Sequence, residues 1–227
     1  MMRNTVVALA ALALAAPLAA QQQQAKEKDP TNAIEAVPLP PGWAMRLDDK
    51  DATKSAKFVT MGPGFHVTSG GAAIYWRSSD AQKDDYTVSA NFRQTKKNIG
   101  HGDHGEAFGV FVAGRDLSDA AKESYLYFEV RQDGSYLIIH RAGADVHKLA
   151  DWTPSSAIHK FDDMPNATND VAIKVASDSV RFVVNGTQVQ ALARGAMLGD
   201  MSGQVGVRVN HNLDVHVANF SAKAGGK

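Results

Sequence analysis

The chain has 227 residues and no cysteine, so disulfides, thiolate chemistry and a cysteine-linked lipid anchor are all excluded. It also lacks an excess of either charge: 24 basic residues balance 24 acidic ones. Nothing in that balance draws nucleic acid or anionic lipid over long range, so neither is expected as a partner. Lys96-Lys97, the adjacent basic pair in the body of the chain, reads as a solvated loop. A sustained 3.6-residue apolar period is missing too, which argues against long helices, and Leu117 to Glu123 is the best short candidate. Aromatic residues are sparse at 7%, so where they cluster is informative.

One long apolar run does occur, at the start. Met1 to Ala20 carries Arg3, then a small-residue apolar stretch ending in Leu-Ala-Ala before four glutamines. That is the pattern of a secretory signal, and the run is too short and Ala-rich for a convincing membrane span. A secreted or periplasmic protein is expected, with no stable membrane insertion after cleavage. Removal of Arg3 with the signal would leave one acidic residue in excess. Residues 21–41 read as a flexible polar and Pro-rich lead-in, 42–221 as one folded domain and 222–227 as a disordered tail. A domain of that size can rest on its core alone.

Within the domain, short runs alternate apolar and polar residues. Tyr86, Val88, Ala90 and Phe92 form one set, Val171, Ile173 and Val175 another, and Val205, Val207 and Val209 a third. Period two with β-branched enrichment predicts half-buried antiparallel strands, and regular turn signals predict an all-β sandwich or barrel. Asn185-Gly186 and Asp133-Gly134 are both strong hairpin signals. A two-residue turn at Asp133-Gly134 would set Glu129 opposite Ile138 and Tyr127 opposite His140. Leu126, Phe128, Val130, Leu137 and Ile139 would then share the core face. Tyr125, Tyr127, Glu129, Arg131, Tyr136, Ile138 and His140 would share the other. Aromatic and charged together, that second face suits a ligand.

Three segments carry a family resemblance: YLYFEVRQDGSYLIIHR, NDVAIKVASDSVRFVVNGTQVQ and GQVGVRVNHNLDVHVANF. Their order resembles the concanavalin A-like (laminin-G/glucanase) jelly roll, a two-sheet antiparallel sandwich. The first also resembles secreted bacterial relatives of the 3-keto-disaccharide hydrolase family. The resemblance spans Trp43 to Phe220 and implies a carbohydrate or glycan partner, without fixing whether chemistry follows. The paired-carboxylate strand motif of family 16 glucanases, of the type E-x-D-x-x-E, is absent. Two residues beyond Glu129 stands Arg131, where a retaining glycosidase of that kind needs a second carboxyl group about 5 Å away.

Two constellations could carry function. Tyr125, Tyr127, Glu129, Arg131 and His140 are the ligand-binding candidates: rings for stacking on a sugar, charged planar groups for its hydroxyls. His101, Asp103, His104 and Glu106 crowd a Gly-rich loop. His101, Asp103 and His104 could hold a divalent metal, and no other cofactor is called for. His104, Glu106 and Glu129 are the candidates for acid–base work. The Asp214 and His216 side chains share a strand face and could form an oriented pair, while His66 and His147 show no recognisable partner. The leading reading is an exported β-sandwich that binds carbohydrate on a concave face. A glycoside-cleaving enzyme and a structural or adhesion module are the alternatives.

Overall fold

The alternating runs become fourteen strands in a computed structural model, which describes residues 39–48, 56–83, 85–94, 106–161 and 166–225. The candidates His101, Asp103 and His104, the signal segment and most of the lead-in lie outside the described residues. The first sheet has the order β1 (Trp43–Leu47), β4 (Ala73–Arg77), β13 (Gln204–Val209), β6 (Ala107–Arg115), β7 (Ser124–Arg131), β8 (Ser135–Ala142), β9 (Asp145–Pro154). The second has the order β12 (Thr187–Ala193), β11 (Ser179–Val184), β10 (Thr168–Val175), β5 (Tyr86–Gln94), β14 (Leu213–Ala224), β3 (Gly64–Ser69), β2 (Ala56–Met61). Neighbouring strands pair antiparallel throughout. The helix expected over Leu117 to Glu123 is a series of turns instead, with Asp119 N–H donating to Asp116 O and Glu123 N–H to Asp119 O. No described helix is long and apolar enough to cross a membrane. β14 runs on to Ala224, which pairs with Tyr86, so the ordered strand extends past the boundary expected at residue 221.

The main core fills the space between the sheets. Phe92 stacks on Phe108 at 5.0 Å, and Phe128 meets Phe182 edge-on at 5.3 Å. Val205, Val207 and Val209 from β13 join them. The second sheet behaves as its period predicts. β10 and β5 alternate buried with more accessible positions, because their outer face meets solvent. The first sheet does not: β6 is buried at every position from Ala107 to Gly114. A second apolar cluster (Ile74, Trp76, Phe111, Leu117, Tyr125, Tyr127, Leu137 and Ile139) covers its other face.

The two hairpins differ in a way that matters. Asn185 and Gly186 both take positive φ, 49° and 80°, and Val184 pairs directly with Thr187, the two-residue turn expected of Asn-Gly. At the other hairpin only Gly134 is left-handed, at 88°, and its N–H donates to Arg131 O at 3.0 Å. The loop is therefore three residues, Gln132 to Gly134, a turn followed by a left-handed glycine. Asp133 favours it, because its carboxylate accepts bonds from the Ser135 N–H at 3.0 Å and the Ser135 hydroxyl at 2.6 Å. One extra loop residue slips β8 by one position. Glu129 lies opposite Leu137, and Tyr127 opposite Ile139. Leu126, Phe128 and Val130 face the main core as expected, but their partners there are Tyr136 and Ile138. Leu137 and Ile139 belong to the outer cluster. His140 pairs with Leu126, not Tyr127, so it is not on the candidate ligand face.

Phe128 is fully buried between the sheets, so Phe128→Ala is expected to cost about 3–5 kcal/mol of stability. Urea unfolding measures it, and a loss below about 1 kcal/mol would contradict this packing.

Candidate functional site

The outer face of the first sheet is built on one cross-strand row. Arg46 in β1 lies opposite Ile74 in β4, Ile74 opposite Arg208 in β13, Arg208 opposite Gly109 in β6, and Gly109 opposite Glu129 in β7. Alternation gives Arg208 its side, because the valines on either side of it in β13 face the core. Arg208 and Glu129 stand two strands apart, and the strand between them presents a glycine. With no side chain at Gly109, Arg208 Nε comes within 3.3 Å of Glu129 Oε1. The guanidinium also lies 4.5 Å from the Tyr127 ring centroid, and Nη1 donates to the Tyr125 hydroxyl at 3.1 Å.

Beyond β13 the charges continue. Asp48, just after β1, accepts from Arg208 Nη2 at 2.7 Å and from Arg141 Nη1 at 2.9 Å. Arg46 reaches Asp48 at 3.5 Å, pairs with Glu123 and donates from Nε to Leu117 O at 2.9 Å. Glu123 also lies 3.4 Å from Arg141 Nε. Three arginines thus face three carboxyl groups. Glu129 is 1% exposed, while Asp48 and Arg141 reach solvent at 19% and 23%.

The array separates its carboxyl groups chemically. Burial pushes the Glu129 carboxyl up to about 7, with the Asp48 and Glu106 charges adding to the rise against the pull of Arg208. Burial would raise Asp48 as well, but Arg208, Arg141 and Arg46 outweigh it and hold that carboxyl below its ordinary value. Burying so many charges is a poor source of stability, since well-packed apolar residues often serve as well or better. Such an arrangement is therefore a candidate site on physical grounds.

Tyr125, Tyr127 and Glu129 all lie on this face, as the alternation of β7 predicts. Arg131 sits at its end, with Nε 2.5 Å from Asp133 Oδ2 and its guanidinium 4.2 Å from the Trp152 ring centroid. It does not pair with Glu129. His140 lies elsewhere, bonded to Ser124 Oγ at 3.3 Å and stacked on His147 at 5.7 Å. Glu106 is buried, with His211 Nδ1 at 2.9 Å. Among the described residues no group of three or more His, Cys, Asp or Glu side chains could hold a metal ion. On the second sheet Asp214 pairs with His66 at 3.0 Å, so His66 has a partner that the sequence did not reveal.

Sequence reasoning missed Arg46, Asp48, Glu123, Arg141 and Arg208. The available signal was a lone charge centred in an apolar strand, at Arg208 as at Glu129. Their pairing was hidden, because it depends on strand order and on the glycine between them.

No protein-family model matches this sequence, and no curated protein does. Solved structures do. Carbohydrate binding module CBM66 from Bacillus subtilis superposes with a TM-score of 0.59 at 12% identity, over 81% of this chain and 96% of that one. The fold is a concanavalin A-like jelly roll. The Bacillus licheniformis β-glucanase gives 0.53 at 10% identity, over 87% and 97% of the two chains. The laminarinase catalytic domain from Thermotoga maritima gives 0.54 at 9% identity, over 86% and 96%. At these identities the likeness is one of jelly-roll architecture. On this jelly roll the same-strand neighbours of Glu129 on the outer face are Tyr127 and Arg131, so β7 carries no second carboxyl group beside it.

Two measurements probe this array. A Cβ at Gly109 would stand 1.9 Å from Phe128 O, so Gly109→Ala must push β6 and β7 apart. It is expected to cost about 2–4 kcal/mol, in the upper part of the range for point substitutions, by urea unfolding. The second concerns pH. Glu129 binds its proton more tightly folded than unfolded, where the ordinary value is 4.5. Its contribution to stability is full below about 4.5 and lost as pH rises through about 7. Unfolding of wild type and Glu129→Gln between pH 4 and 8 should show the wild type losing ground to the variant as pH rises. A constant difference would contradict the assigned burial.

Proposed function

We propose that the chain is an exported module that binds a carbohydrate on the outer face of its first sheet. The observation that carries this is the linked array Glu129–Arg208–Asp48. A carboxyl group buried in β7 fixes an arginine, and that arginine fixes a second, ionised carboxylate near solvent. Asp48 then accepts sugar hydroxyls and the adjacent Arg141 donates to them, both held in place before the ligand arrives. Trp152, half-buried under Arg131 near the turn end of β7, offers an aromatic surface on the same side of the sheet. The jelly rolls that superpose include a carbohydrate binding module and glucanases, which supports the ligand class. Glu129 acts in this reading as a positioning residue beneath the ligand.

A glycoside-cleaving activity has one observation in its favour: environments that push two carboxyl groups in opposite directions, Glu129 up and Asp48 down. Binding is preferred, because Glu129 is buried from solvent and a general acid must reach the glycosidic oxygen.

A glycan array with wild type, Arg141→Ala and Arg131→Ala tests the reading. Wild type is expected to bind at least one glycan, with at least a tenfold loss in Arg141→Ala, and near-ultraviolet circular dichroism checks that the variant keeps its fold. Equal retention in both variants would move the site elsewhere. Hydrolysis of an offered disaccharide, abolished in Glu129→Gln, would favour the enzyme. Neither binding nor hydrolysis by wild type would leave a structural module.

A further inference from the structure

A second recess opens at the other side of the sandwich, where β1 and β2 form the edges of the two sheets. Its volume is about 220 Å³, and Trp43, Thr60, Pro63, Phe65, Arg77 and Phe220 line it. That is below the roughly 300–1,000 Å³ of pockets for drug-sized ligands, and suits a single ring.

The walls are fixed by packing. Trp43 lies 5.0 Å from both Phe58 and Phe65 and 5.9 Å from Phe220. β3 is locked against β14, since a Cβ at Gly64 would stand 2.2 Å from Val217 O. A bulge in β14 between Ala218 and Ser221, with Asn219 at φ 54°, interrupts the ladder where Phe220 joins this wall.

Arg77 supplies the chemistry. It ends β4 directly opposite Trp43, and its guanidinium carbon lies 5.0 Å from the Trp43 ring centroid and 5.9 Å from that of Phe220. Its Nε donates to Asp80 Oδ2 at 2.7 Å, which fixes the plane of the fork. Among the described residues neither Nη1 nor Nη2 has a hydrogen-bond partner, and the side chain is 38% exposed. The recess thus presents a stacked, oriented guanidinium whose two terminal nitrogens are open. That end matches the two oxygens of a carboxylate, which a compact ammonium would not. Aromatic walls around it suit the C–H face of a sugar ring. We propose that this recess binds a single carboxylate-bearing sugar, a uronate residue, with Arg77 holding the carboxylate and the wall formed by Trp43 and Phe220 packing against the ring.

Calorimetric titration of the full chain with glucuronate, glucose and acetate, each alone, tests this. Glucuronate is expected to bind at least tenfold more tightly than either glucose or acetate. Arg77→Gln should lose at least tenfold in glucuronate affinity. Arg77→Lys, which keeps the charge but not the fork, should lose nearly as much. Arg141→Ala should retain glucuronate binding, which separates this site from the array on the first sheet. Absence of glucuronate binding in wild type would overturn the proposal, as would equal affinity in Arg77→Gln. Acetate binding as tightly as glucuronate would reduce the site to a carboxylate trap and overturn the sugar assignment. Loss in Arg141→Ala alone would place the ligand on the other face.

Discussion

Arg208 is the group on which the outer face of the first sheet depends. It is a buried cation held by Asp48, Glu129, the Tyr125 hydroxyl and the Tyr127 ring. Removing Asp48, the acid that all three arginines share, would leave Arg208 short of its ionised partner, and breaking a buried pair typically costs about 3–5 kcal/mol. The array is therefore intolerant of piecemeal change, although a fully apolar replacement could be as stable. An arrangement with that property fixes geometry more than it adds stability. Here it fixes a carboxylate close to solvent.

The geometry rests on an absence. Glycine at position 109 lets two charged side chains on non-adjacent strands meet over the strand between them. Gly206 works similarly one row away, where an added Cβ would stand 2.6 Å from the ring of Phe111. Bare backbone at two points of a central sheet makes room for large side chains from its neighbours, so the layer above can be both aromatic and charged.

The architecture was legible in the sequence, because period-two runs such as those of β5 and β10 report half-buried antiparallel strands directly. So was the side of Tyr125, Tyr127 and Glu129, since alternation along one strand needs no knowledge of its partners. The register of β8 was not. Asp-Gly is compatible with both a two-residue and a three-residue loop, and the side-chain bonds from Asp133 to Ser135 favour the longer one. A single residue of slip was enough to exchange Leu137 and Ile139 for Tyr136 and Ile138 in the main core and to remove His140 from the outer face. The acidic and basic partners of Glu129 were hidden for another reason: they come from four separate segments brought together by strand order, with Gly109 leaving room for them to meet.

The double burial of the first sheet bears on how the molecule opens. Strands β6, β7 and β13 are covered on both faces, whereas β5 and β10 have one face toward solvent. Any fluctuation that separates β6 from β7 uncovers two apolar layers at once and parts Glu129 from Arg208. Local opening should therefore begin in the second sheet and at the edges, with the central strands of the first sheet opening only in global unfolding. Amide protons there would exchange last, in the same strands that hold the charged array. The face proposed to bind carbohydrate then rests on the slowest-moving part of the chain, and its shape is set in advance.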